Sequence, residues 1–246
     1  MRLLLLSNAK REGMGYLEHA SGYLRDFFAG EVREILFVPF AAVAKTYDQF
    51  VEQIKPVFGA LGIGVTGIHT VADPHAAVRS AQAIVVGGGN TWRLLRELRE
   101  RELMPVIRNR VLAGVPYVGW SAGANITCPT IMTSNDMPIC DPGGFDALAL
   151  IPFQINPHYL HGNPPGYKGE TREERIVEFG LLHPGVWVAG LREGTAFLVE
   201  DGSIHLLGDA QCRIFRHSEP PRELCCGDDL SFLFDPGRSD APRMPP

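Results

Sequence analysis

Cysteine is scarce, basic charge is not in excess, and long apolar runs are missing. The five cysteines (Cys128, Cys140, Cys212, Cys225 and Cys226) are irregularly spaced and form no C-x-x-C pair, which argues against both a zinc site and a disulfide framework. The formal net charge is -5, so the basic surface that a sequence-independent nucleic-acid binder needs is not there. A small acidic substrate is still open to it, because one or two local arginines suffice for that. No apolar run approaches the roughly 20 residues of a membrane span. The opening Met1-Arg2-Leu3-Leu4-Leu5-Leu6 imitates a signal peptide, but its apolar stretch ends at Ser7-Asn8 and no cleavage pattern follows. A first buried strand is the better reading. The chain is therefore expected to be a cytoplasmic protein with neither membrane nor nucleic acid as partner.

What is present is a core. Hydrophobic residues make up 45% of the 246 and charged ones 21%, a balance that suits one large α/β domain rather than a disordered chain. No internal repeat or linker divides it. A single domain over 1–234 is expected, followed by a proline-rich tail over 235–246 that should fray. Strand patterns fall at 3–6, 35–39, 64–68, 83–86 and 117–119, with helix patterns at 16–28, 47–61, 74–80, 91–98 and 104–113. These strands are continuously apolar rather than alternating, the mark of a parallel sheet covered on both faces. The β-α-β repetition predicts a doubly wound, mostly parallel sheet whose ligand site lies beyond the carboxyl ends of its strands. Further strands are expected at 145–150, 154–158 and 186–189 and a helix at 173–182. Short strands at 196–200, 203–207 and 212–216 predict a small antiparallel C-terminal extension, with Asp201-Gly202 as a hairpin turn.

Strand 117–119 runs into Gly119-Trp120-Ser121-Ala122-Gly123, a G-x-S-x-G match in strand-to-helix context. That arrangement lifts a serine out of the backbone as a nucleophile, with glycines where side chains would collide. A structural turn is the plainer alternative. Strand 83–86 runs into Gly87-Gly88-Gly89-Asn90-Thr91. This is neither G-x-G-x-x-G nor a P-loop, since no G-K-[ST] follows. It reads either as an oxyanion hole beside Ser121 or as a glycine-rich turn. Asp136 is either an acidic group of the site or a turn former. His158, at the end of a short strand after Pro157, is either a catalytic base or a structural histidine. His158 with His161 makes no metal pair, because no third ligand stands at a recognisable spacing. Thr171 and Glu174 form a capping box, which leaves Arg172 unexplained in the first turn of a helix. Arg172 is a candidate for gripping an anionic group, or else a solvated surface residue. Glu193 sits in a glycine-flanked turn between buried strands, where a carboxylate could orient a histidine, or else is an ordinary turn acid.

The order Ser121, His158, Glu193 differs from the Ser, acid, His order of an α/β-hydrolase. Together with Gly87-Gly88-Gly89-Asn90-Thr91, Thr133-Ser134-Asn135-Asp136-Met137-Pro138, Asn156-Pro157-His158-Tyr159 and Gly169-Glu170-Thr171-Arg172-Glu173, it resembles the peptidase E family of aspartyl dipeptidases. These are serine relatives of the class I glutamine amidotransferase-like proteins, with a flavodoxin-like sheet, and cyanophycinase is a cousin. The resemblance implies a cytoplasmic peptidase that cleaves dipeptides with a free N-terminal L-aspartate, uses no metal or other cofactor, and forms a homodimer. Carried over, Ser121 is the nucleophile, His158 its base and Glu193 the orienting acid, with Asp136 as rival. Gly89 and Ala122 would supply the oxyanion-hole amides. Arg172 would take the aspartyl carboxylate, and Asp136 or Glu170 the α-amine. A cyanophycinase-like or broader acyl hydrolase, or a non-catalytic binding module on the same scaffold, remains the alternative.

Overall fold

The structure, a computed structural model, describes residues 1–163, 166 and 168–235. The first half of the chain alternates as the apolar pattern requires: β1 (Arg2–Leu6), α1 (Ser21–Phe28), β2 (Glu34–Val38), α2 (Tyr47–Gly59), β3 (Gly64–Gly67) and α3 (Pro74–Ser80). It continues with β4 (Ile84–Val86), α4 (Thr91–Glu100), α5 (Leu103–Leu112), β5 (Tyr117–Trp120) and the single turn α6 (Ala122–Asn125). The second half holds β6 (Gln154–Asn156), α7 (Arg172–Leu182), β7 (Val188–Gly190), β8 (Ala196–Glu200), β9 (Ser203–Leu207), β10 (Cys212–Phe215) and β11 (Arg222–Leu224).

Seven strands form the main sheet in the order β3-β2-β4-β5-β1-β8-β9. The first five are parallel, and β8 pairs antiparallel with β1. Its strands face apolar layers on both sides. Leu3 and Leu5 of β1 pack into one core cluster while Leu4 and Leu6 pack into the other, all four essentially inaccessible. That two-sided burial explains the unbroken Leu run, each side chain contributing about 1.5–3 kcal/mol. A second sheet, β11-β10-β7-β6, pairs β6 parallel with β7. The doubly wound α/β class expected from the strand pattern is the observed one.

Several details depart from the sequence reading. The helix expected over 16–28 is only Ser21–Phe28, preceded by a 3-10 turn at Glu18–Ala20. Leu17 at φ +58° breaks the helical run, and its amide turns aside to the Ala9 carbonyl. No strand forms at 145–150. The amides of Ala147, Leu148, Ala149 and Leu150 bond instead to carbonyls of Pro129, Ile126, Cys128 and Thr127, a tightly wound stretch that offers no extended partner. The C-terminal strands do not make one extension. β8 and β9 close the free edge of β1, with the hairpin turn at Asp201 (φ +51°) and Gly202 (φ +78°), whereas β10 crosses to the second sheet. The proline-rich tail lies outside the described residues beyond Asp235.

The parallel strands β2, β4, β5 and β1 end level with one another, Val38 beside Val86, Val86 beside Gly119, and Trp120 beside Leu6. Their following residues therefore share one edge of the sheet. The elbow glycines are demanded there by close approach. A Cβ on Gly123 would stand 2.1 Å from the Val86 carbonyl oxygen, and one on Gly119 2.1 Å from that of Gly123. Gly123→Ala is accordingly expected to destabilise the protein by about 1–3 kcal/mol, several degrees in Tm by calorimetry. An unchanged Tm would contradict that packing account.

Candidate active site

Ser121 leaves the end of β5 at φ +53° and ψ -113°, a strained conformation for a residue with a side chain. Its amide is tied to the Leu6 carbonyl at 3.0 Å, and its own carbonyl accepts from the amides of Ala124 and Asn125. The helix expected after the serine is one turn only, so local amides rather than a macrodipole face the site. Ala122, the first residue of that turn, has an amide with no intrahelical acceptor.

His158 and Glu193 come from the other sheet. Asn156 and Gly190 are register partners at the ends of β6 and β7, and His158 and Glu193 follow them by two and three residues. The register thus delivers both side chains to one place. Glu193 Oε1 lies 2.7 Å from His158 Nδ1, and His158 Nε2 lies 2.9 Å from Ser121 Oγ. An ionised carboxylate can only accept, so Nδ1 carries the proton and Nε2 is left free to accept from the hydroxyl. That is the tautomer a general base needs. The imidazole is 35% exposed and the carboxylate 57%, so the pair is reachable from solvent.

The two sheets are held in this relation by buried polar groups. Asn125, in α6, donates to the Ile155 carbonyl of β6 at 2.8 Å. Ser7, just past β1, donates to the Leu191 carbonyl at 2.8 Å and accepts from the His158 amide at 2.9 Å. His158 sits at φ +55°, and this amide contact helps to hold it there. Asn8 accepts from the Gly194 amide at 2.8 Å, fixing the turn that carries Glu193. Asn125 ends the stretch Gly119-Trp120-Ser121-Ala122-Gly123-Ala124-Asn125 that carries the serine, whereas the sequence reading gives Ser7 and Asn8 no part in the site. The signal available was two polar residues ending a fully apolar strand, at the sheet edge where ligand sites form.

The loop 133–136 is laced between its neighbours. Thr133 Oγ1 donates to the Ile155 carbonyl, Asn135 to the Pro157 carbonyl, and Asn156 to the Thr133 carbonyl. Asp136 Oδ2 accepts from the Thr91 amide at 2.8 Å and the Thr91 hydroxyl at 2.6 Å. Its carboxylate is thus committed to the start of α4, while the ring of His158 is met by Glu193. Asp136 nevertheless lines the same cleft as Ser121, His158, Glu193, Gly88 and Gly89, a space of about 650 Å³. Gly89, at φ +141°, brings its backbone so near Ala41 that a Cβ would stand 2.2 Å from that carbonyl oxygen.

A second cavity of about 440 Å³ shares His158 and Glu193 with the first and is lined by Arg172 and Arg192. Arg192 is spoken for, making paired contacts of 2.6 and 2.7 Å to Glu223. In Arg172, Nη1 is buried and has no hydrogen-bond partner among the described residues. Burial lowers its pKa, and the Glu193 charge works in the opposite direction. Glu170 lies elsewhere, on the surface beside Arg175 at 3.4 Å. His161 pairs with Glu173 at 3.2 Å.

Comparison with known proteins places these features in company. The model of peptidase family S51 matches residues 3–207. Peptidase E of Nostoc sp. (strain PCC 7120) is 46% identical over 234 residues, covering 95% of this chain and 97% of that one. Peptidase E of Salmonella typhimurium strain LT2 is 49% identical over 219 residues, with coverage of 89% and 95%. The crystal structure of a peptidase from an acI-B1 Actinobacterium superposes with a TM-score of 0.68 at 18% identity, covering 94% and 96%. A solved protein of Listeria monocytogenes EGD-e gives 0.65 at 24% identity, covering 85% and 98%. The two structures share the fold.

Serine reactivity can be followed without knowing a substrate, through the rate of fluorophosphonate labelling at Ser121. Glu193→Gln is expected to slow labelling by about 10²–10⁴-fold, because the amide cannot hold the required tautomer. Ser7→Ala should slow it about 10–100-fold through misplacement of His158. Asp136→Asn should leave the rate within a few-fold. A larger loss for Asp136→Asn than for Glu193→Gln would reverse the ranking of the two acids.

Proposed function

The chain belongs to peptidase family S51 and is a serine peptidase, and on that premise we propose that it hydrolyses dipeptides bearing a free N-terminal L-aspartate, with residues 1–234 acting as one catalytic unit. The observation that carries the reading is the unbroken line from Glu193 through His158 to Ser121, with contacts of 2.7 and 2.9 Å. Ser121 Oγ attacks the carbonyl carbon of the aspartyl residue while His158 Nε2 takes its proton. The Glu193 carboxylate stabilises the imidazolium that results. Amides of Gly89 and Ala122 receive the oxyanion, each worth about 3 kcal/mol in the transition state. The C–N bond then breaks as His158 returns the proton to the leaving amine, and aspartyl ester remains on Ser121. Water, deprotonated by His158, attacks that ester, and aspartate departs as the serine regains its proton.

Arg172 is the proposed receptor for the aspartyl side chain. Its buried, unpartnered Nη1 supports this, since a guanidinium can hold a carboxylate by two hydrogen bonds. Asp136, in the cleft, is the proposed partner of the free α-amine. Glu170 is the weaker candidate, being paired with Arg175 on the surface. Among the described residues no helix is long and apolar enough to cross a membrane. Action in the cytoplasm and assembly as a homodimer complete the proposal.

A panel of Asp-Leu, Glu-Leu, Ala-Leu and acetyl-Asp-Leu tests it. Asp-Leu alone is expected to be turned over efficiently, and Ser121→Ala should abolish that turnover in a folded protein. Comparable rates on acetyl-Asp-Leu or longer acidic peptides would point to a broader acyl hydrolase instead. Arg172→Met should reduce the preference for Asp-Leu over Ala-Leu by about 10-fold or more. An unchanged preference would remove Arg172 from substrate selection.

A further inference from the structure

The cleft that holds Ser121 has a cationic wall that the roles above do not use. Lys10 and Lys45 both line it, opposite in chain origin to Arg172, which lines the neighbouring cavity. The His158–Glu193 pair borders both spaces. Lys45 is half-buried, and its ammonium sits 4.5 Å over the Phe50 ring and 5.9 Å from that of Tyr16. Among the described residues its hydrogen-bond acceptor is the neutral Gln53 Oε1 at 2.5 Å, which occupies one of its three donor directions. Among the described residues no carboxylate makes an ion pair with it, although Asp136 and Glu193 line the same cleft. Burial lowers its pKa, and the nearby Lys10 charge lowers it further. Among the described residues this partly desolvated cation, backed by aromatic faces and by a like charge, has no ion-paired counter-anion. A bound anion would relieve both penalties.

Resting on the dipeptidase reading, we propose that Lys45, assisted by Lys10, receives the free α-carboxylate of the leaving residue. The pair thereby sets the substrate length at two residues. A longer peptide would bring a neutral amide to this position, and the two lysines would stay uncompensated. The same cleft offers Val43 and Ile139, both exposed apolar side chains, to the leaving residue's own side chain. Charge recognition and apolar contact thus meet on one amino acid, for which leucine is a suitable probe.

The test crosses substrate with variant. Hydrolysis of Asp-Leu and of Asp-Leu-amide is measured with the wild-type protein, Lys45→Met, Lys45→Arg and Lys10→Met. The wild-type protein is expected to favour the free acid about 10-fold or more in kcat/KM, mainly through KM. Lys45→Met should erase most of that preference, Lys10→Met a smaller part, and Lys45→Arg should retain it. Raising the ionic strength should weaken the preference in the wild-type protein. Equal losses on the acid and the amide in Lys45→Met would make the lysine structural and overturn the proposal, while leaving the dipeptidase reading in place. So would a wild-type enzyme indifferent to amidation. A preference that follows an acidic second side chain, seen with Asp-Asp-amide over Asp-Leu-amide, would overturn it in favour of side-chain recognition. A wild-type protein that cleaves none of these peptides would overturn the dipeptidase reading together with this one.

Discussion

The seam between the two sheets governs everything at the site. Ser121 belongs to the main sheet and His158 and Glu193 to the smaller one, so their contacts exist only while the sheets keep one fixed offset. Two sets of buried hydrogen bonds impose it: Asn125 to the Ile155 carbonyl, and Ser7 to both the His158 amide and the Leu191 carbonyl. These polar atoms lie in a region with almost no water access. Left unpaired there, each would cost about 1–3 kcal/mol, so sliding one sheet against the other is opposed by several such penalties at once. Apolar packing alone would tolerate a small shift. Directional bonds do not.

The motifs that look separate along the chain are one object in space. Gly87-Gly88-Gly89-Asn90-Thr91 and the 133–136 loop meet through Thr91 and Asp136, and the same loop meets Asn156-Pro157-His158 through the Thr133 carbonyl and the Asn135 side-chain amide. This explains why Asp136 resembles a relay acid in sequence while its Oδ2 is spent on the amide and hydroxyl of Thr91. In a low-dielectric cleft such a bond both orients the loop and limits what the carboxylate can do elsewhere. Glu193 is free of that duty, and its turn is fixed from behind by Asn8 through the Gly194 amide and by Arg192 through Glu223.

Charge is distributed across the site with the same economy of position. The cleft carries acidic Asp136 and Glu193 beside Lys10 and Lys45, and the adjoining cavity adds Arg172. A net charge of -5 for the whole chain conceals this local arrangement. Small charged substrates respond to the local field of a concave site, where low-dielectric walls strengthen each interaction, and much less to the protein's total charge.

What the sequence decided by itself was whatever depends on neighbours along the chain. Unbroken apolar runs such as Leu3-Leu4-Leu5-Leu6 require burial on both faces and hence the parallel sheet. The capping box of Thr171 and Glu174 starts α7, Asp201-Gly202 turns the β8–β9 hairpin, and the glycines around Ser121 mark the elbow. The order of Ser121, His158 and Glu193 could also be read. Where 145–150 would find its hydrogen bonds could not, because apolar content says a segment is buried without saying which carbonyls it will meet. Nor could the sequence foretell that β10 leaves β9 for the second sheet, that Ser7 and Asn8 would brace the histidine and the acid, or that Arg172 Nη1 would have no hydrogen-bond partner among the described residues while Arg192 is paired. Those facts depend on groups distant along the chain. Only the docking of the two sheets brings such groups within hydrogen-bond reach, where a few tenths of an ångström separate a bond from a void.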